Sequence, residues 1–192
     1  NPEAQKVKFD DELMGELIRF VAAHEVGHTL GLPHNMGASP AYHVDSLRTP
    51  GFVQRMGVSP SIMDYARFNY VAQPEDGDVG LFPKVGPYDV WSIMYGYKLI
   101  PDAEDAEEEK MTLHEWIKER SDNPIYRFGQ GSSVDPSSQT EDIGHDAIIA
   151  SNLGIKNLQR IAPKLITWTE AMGKDYADLK ELYGRVQGQF RR

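Results

Sequence analysis

The sequence contains no cysteine among its 192 residues. Disulfide bonds and thiolate metal sites are therefore excluded, although many secreted proteins also lack cysteine, so the compartment is not fixed by this absence. No apolar run approaches the about 18 residues that a membrane-spanning helix needs. The mean hydropathy is −0.50. Together these absences predict a soluble chain that folds without covalent cross-links.

Positive charge is also scarce. The chain has 20 Lys and Arg against 29 Asp and Glu, which gives a formal net charge of −9. Nucleic acids and anionic membrane surfaces need a basic face, so we expect neither as a partner. The hydrophobic fraction of 40% and the charged fraction of 26% are ordinary for a globular protein, and the length suits one domain over residues 1–192.

Strand signals are few, and the sequence predicts a mainly α fold. Apolar residues recur at intervals of three and four in several segments, which is the spacing of one helical face. The predicted helices lie at 10–30 (ended by Gly31 and Pro33), within 45–56, at 87–96, through 116–117 after the acidic run 102–109, at 148–165 with a kink at Pro163, and at 176–190. Residues 35–60, 66–86 and 129–138 are predicted loops, and 125–128 is the best candidate for a strand.

Three of the six histidines fall within the eleven residues from His24 to His34. Residues four apart on a helix lie one above the other, so His24 and His28 can direct their imidazoles at one ion. Gly31 lets the backbone turn out of the helix, and His34 then returns toward the same ion. Three neutral nitrogen ligands and an open position are typical of catalytic zinc, Zn²⁺, whereas structural zinc sites are closed by four protein ligands.

Glu25 has the position of a general base. It is rotated by about 100° from His24 and by about 60° from His28, so it flanks the ion without ligating it. Zinc would lower the pKa of a bound water toward about 7, and Glu25 would accept the remaining proton when that water attacks a peptide carbonyl. The pattern therefore predicts hydrolysis of a peptide or protein substrate.

Other interpretations of this segment remain open. The string from His24 to His28 also occurs by chance on helices, but Gly31 and His34 at the right offsets favour a metal site. Glu75 is an alternative third ligand, although His34 already fills that place. A binding or scaffolding domain that retains zinc without hydrolysis is a second function, against which the intact Glu25 argues. A metal-free helical interaction module is a third.

The motif HExxHxxGxxH followed by a turn that contains methionine resembles the metzincin zinc peptidases. Ser61-Ile62-Met63-Asp64-Tyr65 is the matching turn in this sequence. The resemblance implies that Met63 forms an apolar floor beneath the zinc histidines. In some metzincins a tyrosine two positions after this methionine, the place of Tyr65 here, ligates zinc or stabilises the oxyanion. A tyrosine that only packs in the fold is the alternative for Tyr65. More narrowly, the chain resembles the Met-zincin module of large bacterial extracytoplasmic peptidases, and the strings that carry this likeness lie at 23–35, 61–74, 86–89 and 139–161.

A second string of the same kind, Ser92-Ile93-Met94-Tyr95, competes for the role of Met-turn. We prefer Met63, because Gly57 and Pro60 suit a turn whereas 87–96 is a predicted helix. Met94 is then expected to be a core residue.

The resemblance also implies how the chain is organised. Residues 1–100 hold the zinc helix, the Met-turn and loops, and residues 101–192 form a helical C-terminal extension. Metzincins have a β-sheet subdomain before the zinc helix, but only 23 residues precede His24 here. The chain opens with Asn1-Pro2, without an initiator Met or a signal segment, so we expect a piece of a longer precursor. An upstream β-sheet subdomain of that precursor is expected to complete the cleft, and the protein is expected to be extracytoplasmic.

Several other polar residues have two interpretations each. Asp64 and Asp89 are candidates to fix histidine tautomers, since ligating imidazoles usually donate their other N–H, but helix caps or loop hydrogen bonds explain them equally well. Asp135, Glu141, Asp142 and Asp146 are candidates for a calcium site, for which a helix N-cap cluster is the better interpretation. His43, His114 and His145 are expected to be ordinary surface or packing residues.

Overall fold

A computed structural model of the protein describes residues 9–132 and 134–191. Eight α-helices lie within these ranges: α1 (Asp11–Thr29), α2 (Val44–Leu47), α3 (Phe52–Met56), α4 (Pro87–Tyr97), α5 (Ala106–Lys118), α6 (Ala147–Ile161), α7 (Leu165–Thr169) and α8 (Ala177–Phe190). The described residues contain no β-strand, so the predicted mainly α fold without a β-sheet subdomain is confirmed. No helix in the same ranges combines the length and apolarity needed to cross a membrane.

Helix α1 begins and ends where its sequence predicts. The carboxylate of Asp10 accepts a hydrogen bond from the Leu13 N–H at 2.9 Å, which satisfies one of the free amides at the helix start. Gly31 follows the C-cap with φ of +84°, a left-handed conformation that costs glycine little. The backbone therefore leaves the helix at the point that separates His28 from His34.

Two predicted elements differ from the structure. The single short helix expected within 45–56 is two helices, because Gly51 adopts a left-handed φ of +78° between α2 and α3. The strand predicted at 125–128 is wrong. Residues Pro124–Tyr126 form a 3₁₀ turn, in which the Asn123 side chain accepts from the Ile125 N–H at 3.1 Å and Pro124 fixes its own φ.

The C-terminal helices begin and end close to the predicted positions. Helix α6 ends at Ile161, a 3₁₀ turn contains Pro163, and α7 continues from Leu165, as the proline predicts. Ile148, which the sequence places on the apolar stripe of α6, is 76% exposed, and Ala150 is the buried residue of that turn. Helix α8 begins at Ala177, one residue after the predicted start.

The hydrophobic core lies among short helices and loops and not along the long helices. Its buried members are Tyr42, Val44, Leu47, Val53, Val58, Ala66, Val71, Ile143 and Ala150. Both parts of the chain, 1–100 and 101–192, contribute to this one cluster. Helices α5 and α8 bury no residue, and α1 buries only Leu13, His24 and Gly27. The residues of α1 that are buried near its C-terminal end are therefore those of the candidate site.

A buried polar cluster underlies the turn at 61–65. Asp64 is fully buried, and its Oδ2 accepts hydrogen bonds from the hydroxyls of Ser39 and Ser59, the latter at 3.0 Å. Its Oδ1 has no partner among the described residues, nor does Oδ1 of the neighbouring Asp142. Burial, with a smaller contribution from Asp142, raises the pKa of Asp64 to about 7. Burial also raises the pKa of Asp142 to about 6.

The pKa of Asp64 predicts that the protein loses stability as pH rises. Because the folded pKa lies above the ordinary value of 3.8, the folded protein holds a proton that the unfolded chain releases. The stabilisation of the folded state by this proton is complete below about pH 4 and is lost as pH rises through about 7. Its total is on the order of 4 kcal/mol. Asp64→Asn removes the titrating group and keeps an acceptor for both serines.

We expect the difference in unfolding free energy between Asp64→Asn and the unmodified protein to grow from pH 4 to pH 8, with the variant the more stable at high pH. Urea unfolding in the presence of a chelator measures it, and the histidines are common to both proteins. A difference that does not change with pH contradicts the shifted pKa.

Candidate metal centre

The structure brings the three predicted histidines together. His24 and His28 lie on consecutive turns of α1, with ring centroids 4.8 Å apart. After the turn at Gly31, the ring of His34 lies 4.7 Å from that of His28 and 5.3 Å from that of His24. One nitrogen from each ring falls in a group whose members all lie within 4.8 Å of one another. Small side-chain rotations bring such nitrogens to the bond lengths of about 2.1 Å that zinc requires.

Hydrogen bonds at the far side of two rings define their tautomers. Nδ1 of His24 lies 2.8 Å from the carbonyl oxygen of Ile62, and Nδ1 of His28 lies 2.9 Å from that of Leu32. A carbonyl oxygen only accepts, so each Nδ1 carries a proton, and in the neutral ring Nε2 then keeps its lone pair. Both Nε2 atoms are therefore in the state that a metal ligand needs.

The Nε2 atoms of the cluster fit a cation. Nε2 of His24 is buried and has no hydrogen-bond partner among the described residues. Such an atom is costly unless something satisfies it. Nε2 of His28 and Nε2 of His34 lie only 3.1 Å apart. A divalent cation bound by all three would satisfy the buried atom, and the donor set of three neutral imidazoles suits zinc.

The surroundings of His34 favour its neutral form. Its partial burial, followed by the charges of His28 and His24, lowers the pKa of His34 below its ordinary value of 6.5, while Glu25 opposes this shift. A neutral ring is the form that binds a metal ion.

Glu25 and Tyr65 flank the histidines. The Glu25 side chain is exposed, so it is available to a solvent molecule or a substrate, and it is close enough for its charge to act on His34. The ring of Tyr65 stacks on His24 at 5.3 Å between centroids and packs against His34 at 4.3 Å. Tyr65 is nevertheless 45% exposed. The structure thus places both predicted catalytic residues beside the cluster.

Met63 packs directly against helix α1. It is completely buried, and its Sδ lies against Gly27 so closely that a Cβ at position 27 would overlap it. Gly27 stands between the two helical histidines in sequence. Met63, which the resemblance to metzincins implies as an apolar floor, therefore touches α1 between His24 and His28, while the alternative Met94 belongs to helix α4.

Asp89 stabilises the turn at 61–65, and this turn in turn accepts a hydrogen bond from His24. Its carboxylate accepts hydrogen bonds from the Ser61 hydroxyl at 2.6 Å, the Ile62 N–H at 2.7 Å and the Gly86 N–H at 2.8 Å. The Ile62 carbonyl then accepts from His24. The hypothesis that Asp64 or Asp89 bonds a histidine directly is wrong, because carbonyl groups take that place. The alternative of cap and loop hydrogen bonds is confirmed for both aspartates.

The remaining candidates have other roles. Glu75 forms ion pairs with Lys156 at 3.1 Å and Arg160 at 3.3 Å, and it is not a member of the histidine group. Asp146 is the N-cap of α6, with its Oδ1 2.9 Å from two backbone N–H groups, as the N-cap interpretation predicts. The other acidic residues of the calcium hypothesis also have separate surroundings: Asp135 binds Ser137, Glu141 pairs with Arg67, and Asp142 is partly buried. His43 and His145 pack on each other at 4.1 Å, away from the group.

Sequence reasoning missed the role of Asn35, which follows the third histidine. Asn35 is completely buried, and its side chain bonds to backbone groups of residues 127 and 129. Local periodicity contains no signal of this contact, since the partners lie more than 90 residues away in the sequence.

The contact between Gly27 and Met63 predicts that Gly27→Ala destabilises the protein. The added methyl group must displace a buried side chain, and such overpacking costs about 1–3 kcal/mol. Gly15→Ala is the matched control, because Gly15 lies on the same helix with nothing within 4 Å of the new Cβ. That control should gain up to about 1 kcal/mol from helix propensity.

Urea unfolding of Gly27→Ala and Gly15→Ala measures the change in stability. Met63→Ala is measured in the same way, alone and combined with Gly27→Ala. We expect Met63→Ala to cost less in the Gly27→Ala background than alone. Equal stability of Gly27→Ala and Gly15→Ala contradicts the contact.

Comparison with known proteins agrees with this geometry. Residues 6–192 match the Met-zincin family, a range that includes the three histidines, Glu25, the turn at 61–65 and all eight helices. The resemblance to metzincins in the sequence is thereby confirmed. Neither a curated protein nor a solved structure matches the chain. The chain belongs to the Met-zincin family of zinc-dependent peptidase-like domains.

Proposed function

We propose that the protein is a zinc-dependent endopeptidase in which His24, His28 and His34 hold the metal and Glu25 is the general base. The observation that carries this proposal is the buried, unpartnered Nε2 of His24, which lies in one group with nitrogens of His28 and His34. An exposed carboxylate on the same helical turn supplies the second requirement of a hydrolase. Metal binding alone would not require that carboxylate.

The proposed division of labour follows from the chemistry of each group. A zinc ion with three imidazole ligands and an open position polarises a carbonyl group and makes water more acidic. The three histidines would hold the ion, and the Nδ1 contacts of His24 and His28 keep these two rings from rotating. Met63 and Gly27 fill the space beneath the ligands and exclude solvent from that side.

Glu25 moves the proton in this proposal. A carboxylate oxygen of Glu25 takes a proton from the attacking water as its oxygen bonds to the peptide carbonyl carbon. The same group returns the proton to the nitrogen of the leaving amine as the C–N bond breaks, so no net proton is consumed. The Tyr65 hydroxyl is the candidate donor to the oxyanion that develops on the carbonyl oxygen, since its ring packs on two of the ligands.

We also propose that an upstream β-sheet subdomain of the same precursor completes the substrate cleft. Support comes from the outer face of α1, where Met14, Ile18 and Val21 are spaced as one helical stripe and are all exposed. Exposed apolar stripes of this kind mark surfaces that another element covers. The catalytic test therefore uses the longer protein.

We place the proposed activity outside the cytoplasm. The resemblance to extracytoplasmic bacterial peptidases supports this location. Fractionation of cells that produce the full-length protein tests it, and recovery in the cytoplasmic fraction alone contradicts it.

The catalytic role predicts that Glu25→Gln abolishes cleavage without loss of the metal. Loss of a positioned general base typically costs about 10²–10⁴-fold in rate. We expect the variant to keep its zinc content, measured by elemental analysis, and its thermal stability. The control is Glu16→Gln on the same helix, whose side chain binds Arg19 and which lies nine residues, about 13.5 Å, from Glu25 toward the start of the helix.

Cleavage of a peptide library by the full-length protein, with and without a chelator, completes the test. Activity that survives Glu25→Gln overturns the mechanism. Bound zinc without any cleavage supports the scaffolding alternative, and absence of bound metal supports a helical interaction module.

A further inference from the structure

His34 is the ligand whose orientation needs a separate explanation. His24 and His28 are held by the α1 backbone and by carbonyl groups at Nδ1. His34 lies outside the helix, beyond the turn at Gly31, and within the described ranges its ring makes one hydrogen-bond contact, to Nε2 of His28. The Tyr65 ring packs on it, but such packing does not fix the direction of a nitrogen. Its position must therefore be set by the backbone that carries it.

The next residue, Asn35, supplies this backbone support. Its N–H donates to the carbonyl oxygen of Met63 at 3.0 Å, which attaches the His34–Asn35 peptide to the Met-turn. Its side-chain Nδ2 donates to the carbonyl oxygen of Arg127 at 2.9 Å, and its Oδ1 accepts from the Gly129 N–H at 2.9 Å. All three bonds go to backbone groups, and the side chain is completely buried.

The segment that Asn35 binds is itself anchored. The Gly37 N–H donates to the Gly129 carbonyl oxygen at 2.9 Å, and the two glycines approach so closely that a Cβ on Gly37 would lie 3.0 Å from the Gly129 nitrogen. Arg127 in turn donates to the Ser137 hydroxyl at 2.6 Å. Residues 127–129 therefore pack closely against residues 35–37, and the Arg127 side chain ties them to the loop that contains Ser137.

We propose that Asn35 is a positioning residue that sets the third metal ligand by clamping the peptide after His34 between Met63 and the 127–129 segment. This inference rests on the proposed metal site. It makes the C-terminal part of the chain a determinant of metal affinity, although none of its residues belongs to the histidine group. By linkage, metal binding and docking of residues 127–129 stabilise each other.

The side chain suits this clamp because it carries a donor and an acceptor on one planar group. An ionised aspartate in its place would have no donor for the Arg127 carbonyl and would put a buried charge beside it. Alanine would leave the Gly129 N–H and the Arg127 C=O, which lie in a partly buried contact, without these partners. Asn69 is a natural control, since it is also buried and its Nδ2 donates to two carbonyl groups, of Leu47 at 2.7 Å and Gly80 at 3.0 Å, away from the histidines.

The test compares Asn35→Ala with Asn69→Ala in three measurements: thermal stability without metal, apparent zinc affinity by chelator competition, and the absorption spectrum of the cobalt-substituted protein. We expect both variants to lose stability, because each loses two hydrogen bonds made by a buried side chain. We expect zinc affinity to fall about 10–100-fold in Asn35→Ala alone, as is typical when support of a ligand is lost. The cobalt spectrum should change in that variant only.

Unchanged zinc affinity and an unchanged cobalt spectrum in Asn35→Ala overturn the positioning role, as does an equal loss of affinity in Asn69→Ala. If the unmodified protein binds neither zinc nor cobalt, the proposed metal site fails and the role of Asn35 fails with it.

A measurement on the unmodified protein covers the case in which Asn35→Ala does not fold. Zinc should slow hydrogen exchange of the Gly129 amide by several-fold more than that of the Asn69 amide, which donates to Leu81 in another part of the fold. Equal slowing of both amides contradicts the coupling.

Discussion

The hydrogen bond from Nδ1 of His24 to the Ile62 carbonyl joins two segments that are 38 residues apart in the sequence. It fixes the tautomer of the most buried histidine and ties helix α1 to the Met-turn at the same point. Asp89 holds this part of the turn in place by accepting hydrogen bonds from the Ser61 hydroxyl and the Ile62 N–H. Met63, the next residue of the turn, packs on Gly27 of the helix. Each of these contacts needs the turn at 61–65 to lie directly beneath the helix. The contacts that fix the local fold are therefore the same ones that orient the histidine site.

The orienting groups around the histidines are neutral. Carbonyl oxygens of Ile62 and Leu32 take the place in which many metal sites have a carboxylate. The nearby carboxylates are separated from the rings: Asp89 binds backbone amides, and Asp64 binds serine hydroxyls. The charge of Glu25 opposes the lowering of the pKa of His34, and the charge of His24 opposes the larger effect of burial, which raises the pKa of Asp89. Glu25 is exposed, whereas Asp64 and Asp89 are buried.

The C-terminal part of the chain is integrated with the rest. Ile143 and Ala150 complete the hydrophobic core, and residues 127–129 contact the segment that carries His34. Helices α5 and α8, by contrast, bury no residue, and α1 exposes an apolar stripe. The stable centre of the molecule is therefore the irregular region around the Met-turn, in which side-chain hydrogen bonds to the backbone replace the regular ladders of secondary structure.

Local chemistry in the sequence determined the helix that carries His24, Glu25 and His28, its end at Gly31, and the return of His34. All of these depend on helical periodicity and on the conformational freedom of one glycine, which act over a few residues. The partners of those histidines were decided only by the tertiary structure. Ile62 and the 127–129 segment act through backbone groups, and a backbone group has the same chemistry at every position, so no residue pattern reveals which one lies against a given side chain. Asp89 and Asn35 act through their side chains, but the backbone groups that they bind lie far away in the sequence. The misassigned strand at 125–128 has a related cause: Asn123 and Pro124 impose a turn locally, and the extended residues after it bond to a buried asparagine and not to another strand.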